Sequence, residues 1–317
     1  MVCALAGPLT LIEDCETSLR DDGILSAIER HNSPKLFDWL LSAFSYQGIS
    51  DAVADSYIAQ HGSASWRQIR SRLGQGTCPK LKSYWQYADC GYQKHADCCS
   101  EPQHLSACPV PTHRLRNGRL NQTAYSFYLF VRDIAKNDLV GWIGERLTHS
   151  HGDNAATSLV EPLRNIFGVS DKILTMSLSG LLLGARPVRP HWFDVGKNMI
   201  VVDTLVHNFL RRTGILDCCG RRHVYGPACY ASGGCADVIR GLSSEIDARR
   251  FNANFPRHFP RFVQKAIWQY CAANHLDTCN GNRINDQRPC NLAYCQLFGA
   301  CRRKPLKPSE KSQFLAS

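Results

Sequence analysis

No stretch of this 317-residue chain approaches the about 20 consecutive apolar residues that a membrane-spanning helix needs. The opening MVCALAGPLTLIEDCE holds a short apolar run, but no basic residue precedes it and acids follow at once, so no export signal is legible. Internal repeats are absent, and so is the apolar–polar alternation of half-buried strands. Acid is also in short supply, with 27 Asp and Glu against 37 Lys and Arg and a net charge of +10. These absences argue against a membrane span and for an intracellular protein, and the basic excess favours phosphate backbones or an anionic membrane surface.

Cysteine, in contrast, is abundant, with sixteen residues. In a reducing compartment that number points to metal or cluster ligands more than to disulfides.

The apolar pattern is helical. Leu36, Phe37, Leu40, Leu41 and Phe44 recur at helix spacing. Residues 76–113, rich in Cys, Gly, Pro and His, read as an insert, and helices resume over 120–147. After a linker at 149–157, a helix from Leu159 to Phe167, a tight turn at Gly168-Val169-Ser170-Asp171 and a helix from Lys172 to Leu183 form a unit. Residues 184–198 read as a Pro/Gly-rich connection. Asp203 and Thr204 then stand where an N-cap belongs, before a helix that ends at Arg211-Arg212 and stops at Gly214. Residues 217–235 form a second cysteine-rich loop, and a helix from Phe262 to Ala273 leads into the last cysteine group. The chain is expected to be mainly α.

The stretch Ile166-Phe167-Gly168-Val169-Ser170-Asp171-Lys172 resembles the hairpin of the helix-hairpin-helix DNA glycosylase superfamily, which reads roughly Leu-Pro-Gly-Val-Gly-x-Lys, with Ser170 in place of the second glycine. Glycine permits the positive φ of the turn, and N–H groups at the start of the following helix suit a phosphate. Val201-Val202-Asp203-Thr204-Leu205-Val206-His207 is similar to the family's Val-Asp-Thr-His-Val segment. Leu41-Ser42-Ala43-Phe44-Ser45-Tyr46-Gln47 is similar to its Leu-Ser-Ala-Gln-Ala-Thr-Asp element. The resemblance covers most of 30–75 and 155–305.

It implies an all-α, two-lobed helix-hairpin-helix DNA glycosylase fold with cysteine-rich insertions. Residues 1–29 would pack with the C-terminal lobe. Residues 30–216 would form the helical core carrying the insert 76–113, residues 217–301 the second cysteine-rich loop and the cluster-binding region, and 302–317 a basic flexible tail. It also implies base-excision repair: a monomer that flips a damaged or mismatched base from double-stranded DNA, with Gln47 entering the duplex and Gly168, Val169 and Ser170 gripping phosphate. Lys172 would attack the sugar C1′ as an amine, giving a Schiff base and strand cleavage by β-elimination. Asp203 would stabilise the oxocarbenium-like sugar. Because Lys172 and Asp203 are further apart in sequence than the family's pair, 184–198 is expected to loop out, and Asp194 is a second carboxylate to consider.

Cys279, Cys290, Cys295 and Cys301 follow the last helix, where many superfamily members carry a [4Fe–4S] cluster. Only the interval from Cys295 to Cys301 agrees with the family's spacing. Four thiolates suit a cubane cluster or tetrahedral zinc. Arg302 and Arg303 would present phosphate contacts beside them, and Cys271 is expected in the core. Cys78, Cys90, Cys98, Cys99 and Cys108, with His95 and His104, and Cys218, Cys219, Cys229 and Cys235, with His223, lack the Cys-x-x-Cys interval. They read equally as zinc ligands or as buried thiols. Tyr84, Trp85, Tyr87, Tyr92, Tyr225 and Tyr230 could stack on a flipped base or belong to the core. Three rival readings stay open: a non-catalytic DNA-binding relative with an Fe–S or Zn site, a metal- or disulfide-stabilised interaction protein, and a monofunctional glycosylase that uses water.

Overall fold

The computed structural model describes residues 1–44, 64–73, 119–149 and 153–307, with separate positions between 53 and 108. Helix dominates, which places the chain in the all-α class. Among the described residues one short antiparallel pair, β1 (Tyr92–Gln93) and β2 (Cys98–Cys99), sets Tyr92 opposite Cys99. No described helix is long and apolar enough to cross a membrane. The chain divides into two units: Ile12–Gly196, and Met1–Leu11 together with Lys197–Ser317. Helix α1 (Val2–Ala6) belongs to the latter.

The 12–196 unit is built on α4 (Ser33–Phe44), which follows α2 (Leu11–Asp21) and α3 (Ile24–Glu29). Its apolar stripe, Leu36, Phe37, Leu40, Leu41 and Phe44, is buried as the spacing implies. Around it lie α5 (Trp66–Leu73), α6 (Arg119–Asp133), α7 (Leu139–Thr148) and α9 (Asp171–Gly184). Phe37 stacks on Phe127 at 4.6 Å and takes the edge of Trp66 at 5.1 Å. Polar groups fix the helix ends. Ser65 and Gln68 form a reciprocal capping box at the start of α5. The Asp38 carboxylate accepts the Trp66 N–H at 2.7 Å, and Asp138 caps α7 by accepting the Gly141 N–H at 2.8 Å.

Between Gly184 and Lys197 the sequence suggested an open connection. The structure instead forms α10 (Pro190–Gly196), packed on α9. Pro190 supplies a preset φ at the helix start, and Trp192 is wholly buried. Burial of this one indole outweighs the Pro/Gly-rich composition that suggested a loop.

The other unit centres on α14 (Pro260–Cys271), which packs on α1, on α11 (Thr204–Thr213) and on α13 (Cys235–Ser244). The short α12 (Ile215–Cys218) follows α11 directly. Phe262, Val263, Ala266, Ile267, Tyr270 and Cys271 are all buried. Phe255, Phe259 and Phe262 form a ring cluster with centroids 5.1–6.1 Å apart. Three boundaries differ from those read in the sequence: the core expected over 30–216 ends at Gly196, so that 197–216 belongs to the C-terminal unit, and two others shift. Only Met1–Leu11 of the N-terminal segment joins the C-terminal unit, because Ile24, Ala27 and Ile28 are buried in α3, which packs on α4. Residues 302–307, read as part of a flexible tail, are tied down: the N–H groups of Arg302, Lys304 and Leu306 donate to the carbonyls of Thr213, Arg212 and Asp286 at 3.2, 2.9 and 2.8 Å.

Candidate functional site

The helix–turn–helix is formed by α8 (Asp153–Leu163) and α9. Gly168 sits at φ 79 in the turn, a region that costs an L-residue about 1–2 kcal/mol. The turn is held from α6: Thr123 Oγ1 donates to the Phe167 carbonyl at 2.7 Å, and the Phe167 N–H donates to Ser126 Oγ at 3.0 Å. Val169 is buried, and Ser170 stands at the N-cap of α9 without a side-chain bond to the helix. Arg164 pairs with Asp171 at 2.7 Å across the turn. Lys172 is half-buried in the first turn of α9, where backbone N–H groups lack intrahelical acceptors. Gln47, Trp85, Tyr87, His95 and His104 lie outside the described residues.

Asp203, half-buried, caps α11: Oδ1 accepts the Val206 N–H at 2.9 Å. Gly214 ends α11 in the left-handed region at φ 83. Lys172 belongs to the 12–196 unit and Asp203 to the other. Asp194 is exposed on α10.

The 217–235 loop is folded around the segment that carries Asp203. Tyr230 Oη accepts the Val202 N–H at 3.0 Å and donates to the Val202 carbonyl at 3.1 Å. Tyr225, 40% exposed, lies against His207 with ring centroids 5.8 Å apart. Burial, and after it the Asp203 charge, raise the Tyr225 hydroxyl pKa.

His207, His223, Cys229 and Cys235 bring their ligand atoms within 4.8 Å of one another. His207 Nδ1 lies 3.3 Å from Cys235 Sγ and 3.5 Å from Cys229 Sγ, and His223 Nε2 lies 3.3 Å from Cys235 Sγ. Cys229, Cys235 and His207 are buried. A hydrogen bond from Cys235, with further ones from His207, the Gly226 backbone and His223, pulls the Cys229 thiol down to about 4. Cys235 is correspondingly pushed up. Three of these four residues were visible in the sequence as a group. His207 was missed because it sits at the fourth position after Asp203 inside an amphipathic helix, where a histidine reads as core. Cys218 and Cys219, read with this group, are exposed and stand apart from it.

The C-terminal cysteines form a second group. Cys271, expected as a bystander in the core, is buried, and its thiol is raised most by a hydrogen bond to Cys279, which is lowered in turn. Burial pushes the Cys301 thiol up, with the charges of Cys279, Cys290 and Cys295 acting after it. Among the described residues, only the His207 group, and not these four cysteines, brings its ligand atoms within 4.8 Å of one another. The Tyr270 hydroxyl lies 3.2 Å from Cys295 Sγ, and the Arg303 N–H donates to Cys301 Sγ at 3.3 Å. Arg212, 1% exposed, donates to Asp286 at 2.6 Å, while its Nε and Nη1 have no hydrogen-bond partner among the described residues. The buried guanidinium also stands beside Cys279, which is lowered first by Cys271 and then by the charge of Arg212 and a hydrogen bond from it. Arg302 is exposed but lays its stem on Gly214, and Arg303 is exposed with its guanidinium 4.6 Å over the Phe298 ring.

In the first insert Cys78, Cys90, Cys99 and Cys108 line one small cavity with Tyr92, and Cys98 is exposed. Tyr84 and Tyr92 are buried, so neither is a platform for a flipped base. Comparison of the chain with protein families, with curated proteins and with solved structures found no match.

Proposed function

We propose that the chain is a DNA glycosylase of the helix-hairpin-helix type, with associated strand cleavage. The observation that carries this reading is the α8–α9 turn. A glycine at positive φ, pinned by Thr123 and Ser126, presents the start of α9 with Lys172 in its first turn. Backbone N–H groups and the positive end of a helix dipole favour a phosphate there. The net charge of +10 supplies the longer-range attraction.

Excision divides between two groups in this reading. The Lys172 amine, once deprotonated, attacks C1′ as the C1′–base bond breaks, and the base leaves with a proton. The amine adduct then gives up an N–H proton as the C1′–O4′ bond opens and O4′ takes a proton, and the resulting Schiff base loses a C2′ proton and expels the 3′ phosphate. Asp203 uses Oδ1 as a helix cap, and its other oxygen offsets the positive charge that develops on the sugar. Tyr225, exposed and against His207, supplies a face for the extruded base. Cys279, Cys290, Cys295 and Cys301 would hold a [4Fe–4S] cluster, with the Arg212 charge beside Cys279. Bound there, the cluster supplies a rigid anchor for residues 279–304, presenting Arg302 and Arg303 to DNA phosphates.

The test is a panel of duplexes, each with one oxidised, alkylated or mismatched base, followed by alkali. Wild-type protein is expected to leave an alkali-labile site on at least one duplex, and Asp203→Asn to leave none at equal protein. An intact panel would favour the non-catalytic DNA-binding relative.

A further inference from the structure

We propose that His207, His223, Cys229 and Cys235 hold one Zn²⁺ ion in a closed tetrahedral site that fastens the 217–235 loop to α11. The ion's binding does not depend on what Asp203 does, so this inference stands apart from the glycosylase reading.

The distances fit a single ion. Zinc–sulfur bonds of about 2.3 Å and zinc–nitrogen bonds of about 2.0–2.1 Å at tetrahedral angles place S and N ligand atoms roughly 3.5 Å apart. Three of the four sulfur–nitrogen separations are 3.3, 3.3 and 3.5 Å, and the fourth, His223 to Cys229, is within 4.8 Å. All four ligand atoms lie within 4.8 Å of one another, so none stands outside the shell.

The outer contacts also fit. His223 Nδ1 lies 2.7 Å from the Arg221 carbonyl, which can only accept, so Nδ1 carries the proton and Nε2 turns a lone pair toward Cys235. That is the arrangement in which a second partner orients a metal-bound imidazole. The Gly226 carbonyl accepts the Cys229 N–H at 2.9 Å. Gly226 is at φ 145, a conformation that L side chains rarely adopt. Cys235 is the first residue of α13. Without an ion, His207 Nδ1 faces two buried sulfurs with at most one proton to give.

The donor set selects the metal. Two sulfurs and two imidazoles suit zinc, and no oxygen ligand is present for calcium or magnesium. Four protein ligands leave no open position, which makes the site structural. Its effect is local. It ties loop residues 223, 229 and 235 to residue 207, which lies four residues after Asp203. It thereby holds Tyr230 on Val202 and Tyr225 against His207.

The test uses the intact chain and X-ray absorption at the zinc edge. About one zinc per chain is expected, with two sulfurs near 2.3 Å and two nitrogens near 2.0–2.1 Å. Cobalt added to apoprotein should give the ligand-field bands of a tetrahedral site and a sulfur-to-cobalt charge-transfer band. Both should be lost in Cys229→Ser and in His223→Ala and kept in Cys218→Ser/Cys219→Ser. His207→Cys, which preserves a four-ligand set, should retain zinc with three sulfurs and so exposes any loss caused by misfolding alone. A four-sulfur shell would place the zinc on other cysteines and overturn the assignment. So would a folded wild-type chain that takes up neither zinc nor cobalt.

Discussion

Tyr230 Oη holds both backbone groups of Val202, accepting its N–H at 3.0 Å and donating to its carbonyl at 3.1 Å, one residue before Asp203. Val202 is buried, so no water replaces those bonds if the hydroxyl is removed. Tyr230→Phe is therefore expected to cost about 1–3 kcal/mol of stability. Excision should slow in single-turnover assays, while affinity for undamaged duplex stays unchanged. Unaltered stability would show that the hydroxyl does not hold this segment.

Asp203 combines a cap with the proposed chemistry, and two substitutions separate them. Asn is as good an N-cap as Asp, so Asp203→Asn should unfold within a few tenths of a kcal/mol of wild type. Asp203→Ala should lose about 1 kcal/mol. Both should lose base excision. An Asp203→Asn protein that keeps full excision activity would reduce Asp203 to its cap.

Asp217 ties the chain end to α12. Lys304, and after it Arg222, hold its carboxyl below the usual range. A group with a depressed folded pKa stabilises fully above its unfolded pKa of about 3.9, and the effect fades as pH falls through the folded value. Asp217→Asn is thus expected to be less stable by about 1 kcal/mol or less between pH 5 and 8. The two proteins should begin to converge below about pH 4 and meet only below the folded pKa of Asp217 in acid-unfolding titrations. A difference that persists at low pH would assign the effect to packing.

Arg303 is exposed and Arg302 is exposed with its stem on Gly214. Arg303→Ala should lower the slope of log affinity against log salt by about 1, with little change in melting temperature. Arg302→Ala should lower it similarly and also destabilise, because its methylenes cover Gly214. A salt slope unchanged in both would remove them from the DNA surface.

How far the sequence was legible depended on how local each signal was. The α11 cap at Asp203, its stop at Gly214 and the α8–α9 turn are written in adjacent residues, and all three are present in the structure. α10 was read as a loop because Pro190 and Gly196 dominate its composition, whereas its existence rests on the burial of Trp192. The order of residues 302–307 comes from backbone bonds to Arg212, Thr213 and Asp286, which no local pattern announces. The His/Cys site was three-quarters visible. Its fourth member, His207, comes from a helix outside the cysteine-rich loop, and only folding brings it to the others.

The most direct measurement is borohydride trapping. Wild type, Lys172→Ala and Asp203→Asn would be incubated with single-lesion and abasic duplexes, reduced, and run on a denaturing gel. Wild type is expected to form a covalent protein–DNA adduct that Lys172→Ala does not form. Neither an adduct nor an alkali-labile site on any duplex, from folded protein that binds DNA, would contradict a base-excising enzyme.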